Sequence, residues 1–203
     1  MAELTALFWD VGGVLLSNGW DRPARRRAVE KFQLEGEEFE DRHELVVPAF
    51  EKGQLGLEDY LERTVFYRPR NFTRQEFQDF LLAQSEPNLP TLAVVERLAR
   101  SGKYLLATLN NESLELNEYR IHRFGLRNYF TVFLSSCFLG VRKPDEAIYR
   151  LALRLTQRAP EESLFVDDRG LNLECARGLG MRALQFQNAD QLEVELRAAS
   201  IEI

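Results

Sequence analysis

Five short apolar runs alternate with amphipathic stretches along most of this chain, and one long amphipathic block interrupts the alternation after the first run. Residues 5–9 form an apolar run that ends at Asp10. An unbroken apolar run is what a strand covered on both faces requires, so a central parallel strand is predicted there. From about 19 to 86 the period changes. "RPARRRAVEKF", "EEFEDRHELVVPAFEKG", "GLEDYLERTVF" and "TRQEFQDFLLAQ" each repeat apolar residues three and four apart, which predicts four helices and no strand. Thr73 with Glu76 has the spacing of a capping box, and Pro48 predicts a kink in the second helix.

Beyond "EPNLP" (86–90) the alternation resumes. Helices are predicted over 90–101, 112–124, 171–179 and 189–199, with another starting at Pro144 as its first residue. The strands between them are "KYLLATL", "FTVFLSS", "SLFVDD" and "RALQF". Such alternation implies a parallel sheet with helices on both faces. The predicted fold is α/β: a doubly wound parallel sheet formed by residues 1–16 and 88–203, with an all-helical cap, residues 17–87, inserted after the first strand.

Composition narrows the function classes. At 203 residues and 45% hydrophobic content the chain has enough apolar surface for a real core. A net charge of −6 argues against a general nucleic-acid binder, and the basic run "RPARRR" reads as a solvated helix face. Two cysteines far apart exclude a disulfide framework and fit a reduced compartment. No run approaches the roughly 18 apolar residues of a membrane span, and the N-terminal residues lack a signal-peptide pattern. The expectation is a cytoplasmic protein, monomer or homodimer, with no membrane and no nucleic-acid partner.

Three strands end in polar groups: Asp10, the Thr108–Asn110 region, and Asp167–Asp168. In open α/β sheets ligands bind beyond the carboxyl ends of the strands, so these groups are expected to converge. Adjacent carboxylates repel and call for a counter-charge. Asp167 and Asp168 either cap the following helix or hold a divalent cation, and with Asp10 as a third carboxylate the metal reading prevails. The chain's two histidines show no zinc-site spacing, which leaves Mg²⁺, a cation that takes one or two protein carboxylates plus substrate phosphate. Lys143 either neutralises these acids and phosphate oxygens or is a solvated lysine. Asn110 and Asn111 either hold phosphate oxygens or cap a helix. In the cap segment, Trp20, Phe50, Phe66 and Tyr67 either face ligand or pack, and Arg22, Arg25 and Arg26 either bind a distal phosphate or face solvent.

In this order "FWDVGGVLL", "LLATLNN", "VRKPDEAIY" and "LFVDDRGLNLECARGLG" resemble the four motifs of the haloacid dehalogenase-like superfamily of hydrolases, across residues 7–186. The inserted helices resemble the cap of its phosphatase-like branch. The resemblance implies that Asp10 is a nucleophile forming an aspartyl-phosphate that water hydrolyses. It implies Mg²⁺ held by Asp10, the Gly12 backbone carbonyl and Asp168, with Asp167 behind them or binding through water. Lys143 would offset phosphoryl charge, and Asn110, Thr108 and Gly12 would contact a small phosphorylated substrate.

Two departures matter. Gly12 stands where phosphatases of the family carry an acid that protonates the leaving oxygen, a role worth about 10²–10⁴-fold in rate. This DxG pattern is similar to sugar-1-phosphate phosphatases, whose anomeric leaving group needs less help. Leu109 stands where the family has Ser or Thr, with Thr108 as a one-residue substitute. The alternatives are a non-catalytic binding or scaffold protein with a degenerate site and, further off, a 2-haloacid dehalogenase. The latter needs no metal, which the Asp167–Asp168 pair argues against.

Overall fold

In the computed structural model, which describes residues 2–203, a five-stranded parallel sheet carries helices on both faces. Along the chain come β1 (Ala6–Trp9), α1 (Arg22–Phe32), α2 (Gly36–Glu51), α3 (Leu57–Thr64), α4 (Arg74–Leu82) and α5 (Leu89–Ser101). There follow β2 (Leu105–Thr108), α6 (Leu114–Arg123), β3 (Val132–Phe133), α7 (Ser136–Leu139) and α8 (Glu146–Thr156). The chain ends with β4 (Ser163–Asp167), α9 (Gly170–Gly178), β5 (Arg182–Gln185) and α10 (Ala189–Ala198). The strand order is β3-β2-β1-β4-β5, with β1 at the centre.

Side-chain alternation explains why β1 reads as wholly apolar. Leu7 and Trp9 enter one core cluster with Leu106, Val166 and Leu184, under residues of α5 and α10. Ala6 and Phe8 point the other way, joining Ala107 and Phe165 under α8 and α9. Both faces are covered, so no position on the strand tolerates charge until it ends. Trp9 pairs with Thr108 and Val166 in register, which brings Asp10, the residues after Thr108 and the Asp167–Asp168 turn to one edge.

The four helices between residues 22 and 82 build an apolar cluster of their own from Trp20, Phe39, Phe50, Tyr60, Phe77 and neighbours. It draws in Leu116 of α6, while Ile121 on the same helix packs into the core under the sheet. α6 therefore joins the two apolar clusters. The Thr73–Glu76 capping box forms as predicted.

Two local expectations are corrected. The third strand is only Val132–Phe133, because β3 is an edge strand paired with β2 at two positions before Ser136 opens α7. Pro144 does not start α8: the Asp145 side chain accepts from Ala147 N–H and caps the helix, which begins at Glu146. α2 carries Pro48 within its span. No helix among the described residues is long and apolar enough to cross a membrane.

Candidate active site

At the carboxyl edge of the sheet the ends of β1 and β4 place three carboxylates together. One oxygen from each of Asp10, Asp167 and Asp168 lies within 4.8 Å of the others. Lys143, on the loop before α8, reaches between the first two, with Nζ 3.0 Å from Asp10 Oδ1 and 2.6 Å from Asp167 Oδ2. Its side chain is buried, so it is not a solvated lysine. Asn111 fastens that loop: its Oδ1 accepts from Lys143 N–H and its Nδ2 donates to Lys143 C=O, both at 2.8 Å.

The three acids differ in what they have left to offer. Asp167 is fully buried and accepts from Lys143, from Asn172 Nδ2 and from Arg169 N–H. Asn172 reaches both oxygens of Asp167. Asp10 Oδ1 accepts from Val11 N–H at 2.8 Å as well as from Lys143, and among the described residues Oδ2 receives no hydrogen bond. Burial raises the Asp10 carboxyl well above the usual carboxylate range, with Lys143 pulling it down and Asp167 pushing it further up. Asp168 is raised too, by burial and by Asp167, and its Oδ1 is a buried oxygen without a partner among the described residues.

Three carboxylates against one lysine leave a buried excess of negative charge and an orphaned carboxylate oxygen, both of which a divalent cation would satisfy. The donor set is all hard oxygen, which fits Mg²⁺ or Ca²⁺ and not a soft metal. Asp168 is held close by the chain before it. Gly13 has φ +79°, and a Cβ there would lie 2.5 Å from Asp168 Oδ2. Gly13→Ala is expected to push Asp168 out of the cluster, so that adding Mg²⁺ raises the melting temperature of the variant less than that of the unmodified protein. A Mg²⁺-dependent melting shift equal to the unmodified protein's would refute this role for Gly13.

The structure does not bring Thr108 or Asn110 to the cavity. Thr108 is fully buried on the sheet face opposite Ala107 and Leu109, and its hydroxyl has no partner among the described residues. The pleat defeats the one-residue shift, because adjacent strand residues face opposite sides. Asn110 spends its amide inside the protein, donating to Asn117 Oδ1 and accepting from Ser135 Oγ. Gly12 does border the cavity, with a φ outside the left-handed region. A Cβ at Gly12 would meet Asn18 Oδ1 at 3.3 Å and Arg120 Nη1 at 3.7 Å. Beside the position of the missing acid stands a guanidinium.

Arg120, on α6, is 2% exposed and lies 2.9 Å from Glu112 Oε2. Burial pushes Glu112 up to about 7, with Arg120 pulling the other way. Sequence reading missed both residues. The available signal was an arginine four places after Leu116, on the buried stripe of an amphipathic helix.

The cavity above the carboxylates has a volume of about 440 Å³, in the range of small-ligand sites. Of the aromatics considered, Trp20 and Phe50 border it, whereas Phe66 packs in the helical cluster and Tyr67 lies against Arg42. Arg22 and Arg25 border it, while Arg26 faces solvent.

Comparison with known proteins adds to this geometry. The family profile described as haloacid dehalogenase-like hydrolase matches residues 4–180. Bifunctional epoxide hydrolase 2 of Sus scrofa is 32% identical over 132 residues, 63% of this chain and 24% of that protein. Flavin mononucleotide hydrolase 1 of Arabidopsis thaliana is 27% identical over 181 residues, 81% of this chain and 66% of the relative. The chain thus aligns with less than two thirds of either relative's length. A crystal structure of a HAD family enzyme from Bacteroides thetaiotaomicron superposes with a TM-score of 0.81 at 19% identity, covering 92% of this chain and 95% of the other. The same enzyme has been solved with magnesium and inorganic phosphate.

Proposed function

The chain belongs to the haloacid dehalogenase-like hydrolases, and we propose that within this family it is a Mg²⁺-dependent phosphomonoesterase acting through Asp10 on a small phosphorylated metabolite. The observation that carries this reading is the convergence of Asp10, Lys143, Asp167 and Asp168 at one sheet edge, beneath a cavity of suitable size. Asp10, the Gly12 carbonyl and Asp168 would hold the cation, with Asp167 fixing Lys143 behind them. The bound ion supplies a positive charge that keeps Asp10 ionised and offsets charge on the phosphoryl group.

The remaining steps belong to the chain's own residues. A free Asp10 carboxylate oxygen attacks phosphorus in line, the ester P–O bond breaks, and the leaving oxygen departs as an oxyanion that takes its proton from solvent. Lys143 Nζ, anchored on Asp10 and Asp167, faces the charge that builds on the transferring group. Water then attacks the aspartyl-phosphate, releasing phosphate and restoring Asp10. With Arg120 and no acid beside position 12, substrates with good leaving groups are favoured, and a sugar 1-phosphate fits that demand.

Mg²⁺-dependent release of phosphate from p-nitrophenyl phosphate tests the proposal, since that leaving group needs no acid. Activity abolished by a chelator and restored by Mg²⁺ is expected. Folded protein that binds Mg²⁺ without turnover would instead support the scaffold reading.

A further inference from the structure

Trp20, His43 and Tyr60 form a buried hydrogen-bonded chain in the helical cap, at the wall of the cavity that reaches Asp10. Trp20 Nε1 donates to Tyr60 Oη at 2.8 Å, and the same oxygen lies 2.8 Å from His43 Nδ1. An indole N–H only donates, so the phenolic oxygen is its acceptor. The phenolic proton then has His43 Nδ1 as its recorded partner. Tyr60 is fully buried and stacked on Phe50 at 4.2 Å, so its ring is held in place. Were Nδ1 protonated, the phenolic proton would lose that acceptor. Burial and the neighbouring Arg25 push the imidazole down to about 4, so it stays neutral near pH 7.

A neutral imidazole with an accepting Nδ1 carries its proton on Nε2. That nitrogen is not among the buried polar atoms lacking a partner, and the residue borders the cavity, so the N–H opens onto it. Trp20, Val47 and Phe50 line the cavity with His43, as do the charged Arg22, Arg25 and Glu51. The nearby Arg25 is committed, its Nε and Nη2 to Glu40 and its Nη1 to Trp20 C=O. The wall thus presents a neutral donor of fixed direction.

We propose that His43 reads the substrate: its Nε2–H donates to an uncharged oxygen, a hydroxyl or carbonyl, on the organic part of the phosphomonoester. The assignment rests on the phosphomonoesterase reading above. A substrate with hydrocarbon at that point would bury the donor unpaired, which is how a site built to bond an oxygen rejects analogues that lack it.

Two measurements test the assignment. In ¹⁵N-labelled protein at pH 7, His43 is expected to show a protonated Nε2 and an unprotonated Nδ1, with His122→Gln assigning the signals. A protonated Nδ1 would overturn the proposal whatever the enzyme acts on. The second is the ratio of kcat/KM for glucose 1-phosphate to that for cyclohexyl phosphate. His43→Phe is expected to lower this ratio about tenfold, chiefly through KM, and His43→Gln, which retains a side-chain N–H, to restore most of it. An unchanged ratio, in an enzyme that hydrolyses both, would sink the proposal while leaving the phosphomonoesterase reading intact. Absence of hydrolysis by the unmodified protein would instead sink both.

Discussion

Asp10→Asn is expected to lower phosphatase turnover by about 10⁴-fold or more, the scale on which removal of a covalent nucleophile is felt. An amide has nearly the carboxylate's shape but does not attack phosphorus. The fold should not suffer. Burial raises Asp10 and Asp167 repels it, so replacing this charge relieves strain in the metal-free protein. Its melting temperature without Mg²⁺ is expected to stay level or rise, while the stabilisation added by Mg²⁺ shrinks with the weaker affinity. Steady-state kinetics together with melting curves at several Mg²⁺ concentrations check both halves. Residual turnover above about 1% would contradict the nucleophile assignment, since catalysis would then run without a carboxylate at position 10.

The second large effect is on stability. Arg120→Met is expected to destabilise the protein by about 3–5 kcal/mol, the usual cost of stranding one partner of a buried ion pair. Arg120 donates from Nε to Ser85 Oγ and from Nη2 to Ser17 C=O, each at 3.0 Å, while Nη1 pairs with Glu112. Ser17 in turn accepts from Glu86 N–H and donates to Gln84 C=O, so the guanidinium ties together both segments that lead into and out of the inserted helices. Urea unfolding measures the loss. Adding Glu112→Gln to Arg120→Met should recover part of it, because the stranded carboxylate is then gone. A loss below about 1 kcal/mol in the single variant would refute this account. The same guanidinium sets the fate of an acid installed at Gly12. It would stand beside Arg120 Nη1 and be held ionised, a poor proton donor.

The order of strands and helices was legible because each depends on local periodicity. β1 announces itself through four buried residues that serve two opposite core faces, and α4 through a capping box that needs only residues 73 and 76. Where tertiary pairing sets the limits, the reading was less sharp. "FTVFLSS" has the composition of a full strand, yet at the sheet edge only two of its residues find a partner.

The site divides in the same way. Asp10 and the Asp167–Asp168 pair could be named from the sequence, since a charge at the end of an apolar strand has few uses besides chemistry, and Lys143 through the resemblance of its segment to a family motif. Their division of labour was decided by the tertiary structure. Asp167 and Asp168 are adjacent and chemically identical, and the Lys143 ammonium from the loop before α8 and the Asn172 amide from the first turn of α9 engage one and leave an oxygen of the other bare. Thr108 and Asn110 carry suitable groups, but the pleat of β2 and the Asn117–Ser135 network turn them inward. Arg120 and His43 were invisible for a like reason. Alone, each is a polar residue on a helix. A buried guanidinium beside a glycine and a neutral imidazole with one bonded nitrogen exist only once α6, α2 and α3 are packed. Sequence determines which groups occur and on which element, because periodicity is local. Packing determines which hydrogen bonds those groups have left to give.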